Sequence, residues 1–102
     1  MITRVVLFRW KAEVTDEQVE ELMRSIQSLK GRVPGLLEMR CGRNVGGPPC
    51  GLAGGGGYTH VVVSSYPSTE VLDAYRAHPF HLDVVRMIDA LEESYLLFQI
   101  ET

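Results

Sequence analysis

The amino-acid sequence predicts an α+β chain in which strands and helical regions follow one another as βαββαβ. Three observations carry that prediction. Residues 2–10 alternate in the manner of a strand, residues 58–66 are rich in aromatic and β-branched side chains, and apolar residues recur at helical spacing over 16–31. A second helical region opens at Pro67-Ser68, breaks at His78-Pro79 and gives way to a closing apolar run.

In the first strand Ile2, Arg4, Val6, Phe8 and Trp10 face one way, while Val5, Leu7 and Arg9 face the other. Thr15-Asp-Glu-Gln18 has the form of a capping box, with acids where the helix dipole favours them. The stripe Val19, Leu22, Met23, Ile26 and Leu29 then gives an amphipathic helix over 16–31, ended by Val33-Pro34-Gly35. Residues 37–45 read as a second strand, and the glycine-rich stretch 46–57 reads as a disordered connection rather than a substrate lid. It is no phosphate loop, because it has neither the Gly-Lys-Ser/Thr ending nor a cation.

Residues 58–66, rich in aromatic and β-branched side chains, form the third strand. Ser68 caps the next helix, which turns Val71, Leu72 and Tyr75 inward. His78 precedes a proline and is pushed out of the α region, so a separate helical segment follows over 80–92. Residues 95–100 close the chain as a strand. The order is that of the ferredoxin-like fold, an antiparallel four-stranded sheet with helices on one face. The other face is bare, yet Val5, Leu7, Val61 and Val63 make it apolar, so a homodimer follows.

A chain of 102 residues, 45% of them apolar, is a single domain over 1–102 with a core that needs no disulfide staples. Its net charge of −3 argues against nucleic-acid binding, which calls for a basic face. No apolar run is long enough to span a membrane, and the first residues lack the form of a signal peptide. Cys41 and Cys50 make no framework, which fits a reducing cytoplasm, the expected location. Cys41 reads as a strand residue with no neighbouring base, and Cys50 as an exposed thiol.

The three histidines are His60, His78 and His81. His81 lies one turn before Val84 and Val85 on the inward stripe of the last helical segment, and Tyr75 is inward on the segment before it. His60 shares parity with Val62, and Arg4 with Val6 and Phe8. If those parities point beneath the helices, Arg4, His60, Tyr75 and His81 converge on one apolar interior. A histidine on an apolar face is by default a hydrogen-bonded core residue, and that reading is set against the functional one for both His60 and His81. His81 has the stronger functional case, because a tyrosine sits across a helix break that can open a cavity. His78 and His81 have metal-compatible spacing, but a helix-breaking proline lies between them and no third ligand appears. No metal and no cofactor are expected.

Taken together, Val5-Val-Leu-Phe-Arg-Trp-Lys11, Val33-Pro-Gly-Leu36, Gly57-Tyr-Thr-His60 and Tyr75-Arg-Ala-His-Pro-Phe-His81 resemble the stress-responsive A/B barrel (Dabb) family along essentially the whole chain. The resemblance implies a dimeric α+β barrel. Most members have no assigned activity; a plant cyclase of the family closes a poly-β-keto thioester by aldol condensation. By that resemblance His81 is the base, Tyr75 assists it, and His60 lines the pocket. Arg4 stands where that cyclase has a histidine, and this departure implies a different, anionic substrate. The expected function is binding of a small hydrophobic carbonyl compound, with cofactor-independent acid/base chemistry such as cyclisation or isomerisation. Arg4, Val6, Phe8, His60, Val62, Val84 and Val85 would line the pocket. The alternative is a non-catalytic small-molecule-binding protein on the same scaffold.

Overall fold

The computed structural model describes residues 1–46 and 57–102. The elements are β1 (Ile2–Trp10), α1 (Asp16–Arg32), β2 (Glu38–Arg43), β3 (His60–Tyr66), α2 (Thr69–Ala77), α3 (Pro79–Leu91) and β4 (Glu92–Glu101). The four strands form one antiparallel sheet in the order β2-β3-β1-β4. The ferredoxin-like α+β fold is therefore the observed one. Most of the expected glycine-rich connection, together with Cys50, lies outside the described residues.

Local chemistry explains where the helices begin. The Thr15 hydroxyl accepts from the Gln18 amide at 3.2 Å, and the Gln18 side chain accepts from the Thr15 amide at 2.8 Å, which completes the capping box. Ser68 caps α2 by accepting from the Val71 amide. His78 serves twice: it ends α2 in an extended conformation, and its Nδ1 accepts from the Phe80 amide to start α3, with Pro79 in the first turn. The break expected at His78-Pro79 is thus a shared cap. Gly35 has a φ of 85°, and a Cβ there would fall 2.6 Å from a Val71 methyl, so both conformation and space demand glycine.

Several boundaries differ from expectation. β2 is shorter than 37–45, although Leu37 and Asn44 still bond to the backbone of Ser65 and Thr59. β3 begins at His60 rather than residue 58, and β4 at Glu92 rather than 95. Glu92, Glu93 and Ser94 are polar residues on an edge strand, where no buried partner imposes an apolar pattern.

Leu22, Ile26 and Leu29 of α1 are buried against the inner sheet face, which supplies Ile2, Phe8, Met39, Val62 and Tyr66, and Val19 of the same helix is also buried. The outer face carries the opposite parity. Two apolar rows cross it, Phe98–Val5–Val63 and Leu96–Leu7–Val61. Phe98 is 57% exposed, Ile100 56% and Leu96 42%. No described helix lies over this apolar face.

Candidate active site

Between the helices and the inner sheet face lies a pocket of about 150 Å³. Its floor is Arg4, Val6 and Phe8 of β1 with Val62 and Ser64 of β3. Tyr75 enters from α2, and His81, Val84 and Val85 from α3. Strand parity, a helix stripe and one helix break bring these residues together from four elements.

The pocket also has a wall that strand-by-strand reading missed. Tyr95 and Leu97 of β4 line it, directly across from Phe8 and Val6 in the register. Ser64, Ile26, Ile88 and the exposed Asp89 complete it. Ser64 shares the parity of Val62 and was readable on that ground. Tyr95 and Leu97 required knowing that β4 pairs with β1.

His81 and Tyr75 form the polar centre. Their rings lie 4.4 Å apart between centroids, and Tyr75 is buried against Tyr66 at 5.1 Å. His81 Nδ1 sits 3.0 Å from the Arg76 carbonyl oxygen. A carbonyl can only accept, so Nδ1 carries the proton and the lone pair of the neutral ring is on Nε2. Burial lowers the His81 pKa below the usual histidine value; the Arg76 carbonyl works against this, and the Arg4 cation works with it. Burial also raises the Tyr75 pKa, reinforced by the neighbouring Tyr66. At neutral pH the pair is therefore a neutral imidazole beside a protonated phenol.

Arg4 stands on the same floor with its Nε buried and without a hydrogen-bond partner. Its strand neighbours are Ser64 and Gln99. The Ser64 hydroxyl already accepts from Tyr66 at 2.9 Å.

His60 is placed elsewhere. It lies on the inner face and is buried, but it does not line the pocket. Its Nδ1 accepts from Trp10 Nε1 at 3.0 Å, with the Thr59 hydroxyl at 2.8 Å from the same nitrogen. Trp10 in turn stacks on Phe8, whose ring separates this cluster from the cavity. The expected convergence therefore holds for Arg4, Tyr75 and His81 and not for His60. No three His, Cys, Asp or Glu side chains gather around a metal position among the described residues. Cys41 is a half-buried β2 residue whose thiol burial pushes up to about 11, so it is no ready nucleophile. No described helix is long and apolar enough to cross a membrane.

Residues 2–102 match the family model described as the stress responsive A/B barrel domain. Olivetolic acid cyclase of Cannabis sativa is 25% identical over 97 residues, which cover 95% of this chain and 92% of that protein. The stress-response A/B barrel domain-containing protein HS1 of Arabidopsis thaliana is 28% identical over 82 residues, covering 80% of this chain and 72% of that one. Among solved structures, a dimeric ferredoxin-like protein of unknown function from Thermobifida fusca superposes with a TM-score of 0.83 at 28% identity, over 99% of this chain and 90% of that one.

Proposed function

Because the chain belongs to the stress-responsive A/B barrel domain family, we propose that its pocket binds a small carbonyl compound and moves a proton on it by acid/base chemistry. The observation that carries this reading is the His81–Tyr75 pair. One ring nitrogen of His81 is held by a backbone carbonyl, and the other is left basic in an apolar cavity beside a phenol. The cyclase among the relatives is in keeping with it.

In this scheme His81 Nε2 takes a proton from a carbon flanked by carbonyl groups. The electron pair of the broken C–H bond passes to the carbonyl oxygen, and Tyr75 donates a hydrogen bond to the enolate that forms. The imidazolium is steadied by its Nδ1–H bond to the Arg76 carbonyl. The enolate can then attack a second carbonyl, as in a cyclisation, or be reprotonated elsewhere, as in an isomerisation. No cofactor takes part. A cavity of about 150 Å³ has room for a benzene-sized body.

Acetoacetanilide, a 1,3-dicarbonyl with a phenyl ring, tests the scheme. Exchange of its central C–H protons for deuterium, followed by NMR, should run faster with the protein than in buffer alone. A protein that binds this compound without accelerating exchange supports the non-catalytic binding reading instead.

The same reading includes assembly. Two copies joined through their outer faces would cover Leu96, Phe98 and Ile100, whose exposure is otherwise costly. The dimeric state of the Thermobifida relative accords with this. Sedimentation at micromolar concentration should give a dimer; a stable monomer would refute it.

A further inference from the structure

Arg4 is the one cation in the pocket wall, and it takes part in none of the ion pairs or hydrogen bonds formed among the described residues. Arg4 is half-buried with its Nε enclosed, and a guanidinium cannot shed its proton, so an unpaired one on the floor of an apolar cavity calls for an anion. The pocket's carboxylate, Asp89, lies on the exposed side of α3 and makes no ion pair with it. The strand neighbours Ser64 and Gln99 are uncharged. We propose that the missing partner is the ligand itself, and that Arg4 binds its carboxylate, making this a pocket for a small keto acid rather than a neutral ketone.

The inference rests on the carbonyl-binding reading and narrows its substrate class. A carboxylate suits the site better than a phosphate. It carries a single charge against a single cation, and its two oxygens match the planar fork of guanidinium. A phosphate would bring nearly two charges to a wall with no second cation. The Arg4 charge is felt at both His81 and Tyr75, so the anion would be held beside the proton-transfer pair. With the carboxylate anchored on β1, a ring occupying the apolar volume would present its ketone to α2 and α3.

The probe is 4-oxo-4-phenylbutanoate, compared with its uncharged methyl ester by calorimetry. The wild-type protein should bind the acid about tenfold or more tightly than the ester, as loss of one charged hydrogen-bonded pair implies. Arg4→Met should erase that preference while leaving ester binding within a few-fold, and Arg4→Gln provides a second neutral variant should the first fold poorly. His81→Ala should retain the preference, because the anion is held by a different residue. Equal affinity for acid and ester, a preference that survives in either neutral Arg4 variant, or no binding of the acid at millimolar concentration would each overturn the proposal. Selective binding of the acid by a protein that does not accelerate exchange in acetoacetanilide would uphold it while removing the acid/base reading.

Discussion

Two histidines lie under the same helical layer, and they are held in opposite ways. His60 accepts a hydrogen bond at Nδ1 from Trp10, so its basic nitrogen is consumed by the protein. His81 donates from Nδ1 to Arg76, so its basic nitrogen is left over. Both are neutral for the same first reason, burial. Burial and a lowered pKa therefore do not distinguish a base from a core residue. The deciding feature is which ring nitrogen the protein occupies, and whether its partner can donate or only accept.

The largest test of this contrast is His81→Ala. A positioned base contributes roughly 10²–10⁴ in rate, so protein-accelerated exchange in acetoacetanilide should fall on that order while the protein remains folded. Full acceleration in a folded variant would show that the free nitrogen is not the base. His60→Ala should behave in the reverse manner. It strands the Trp10 indole N–H in a partly buried site and should cost about 1–3 kcal/mol of stability, read as a lower Tm, with exchange changed little. If it abolishes exchange without lowering Tm, the two histidines have been assigned the wrong way round.

Tyr75→Phe sharpens the pocket side of the comparison. It keeps the ring packing on Tyr66 and His81 and removes one hydrogen bond to developing charge. Exchange should slow by about tenfold or more, with ligand affinity nearly unchanged. A loss of affinity alone would make the hydroxyl a binding group.

The smallest effect is a pH dependence. Burial, aided by the Arg43 cation and opposed by Asp16, holds the folded His60 pKa below its unfolded value of about 6.5. The unfolded chain then binds more protons below that pH, so this stabilisation is complete above about 6.5 and is lost as pH falls through the folded value. Trp10 is the single tryptophan and bonds to the titrating ring, so its fluorescence should change in the same window. In His60→Ala that fluorescence step should vanish. A step that persists would place its origin at another group.

Much of this arrangement is legible in the sequence because it depends on period. The alternation of Arg4, Val6 and Phe8 and the stripe through His81, Val84 and Ile88 each point toward the pocket without knowledge of any partner. The Trp10–His60 bond is different. It joins residues 50 apart through the antiparallel register of β1 and β3, in which Phe8 faces His60. Parity alone places His60 on the correct face; it cannot say that an indole occupies its Nδ1 and that it stays out of the pocket lining. The β4 wall was hidden for a related reason. Tyr95 is 51% exposed and Leu97 39%, so neither announces itself as a pocket residue by belonging to a buried core.

Strand β1 runs through the interior of the sheet and turns alternate side chains toward different neighbours. Arg4, Val6 and Phe8 line the pocket, while Val5 and Leu7 join the apolar rows of the outer face. For the divergence of such chains this is a form of independence. Replacements at the even positions can change the pocket lining without altering the outer face, and replacements at the odd positions do the reverse. A one-residue insertion or deletion has no such freedom, because a single step along a strand exchanges its two faces. It would press a guanidinium into the apolar outer layer and put Val5 and Leu7 on the pocket floor in place of Arg4, Val6 and Phe8. Lineages carrying this fold should accordingly vary β1 by substitution and hold its length constant.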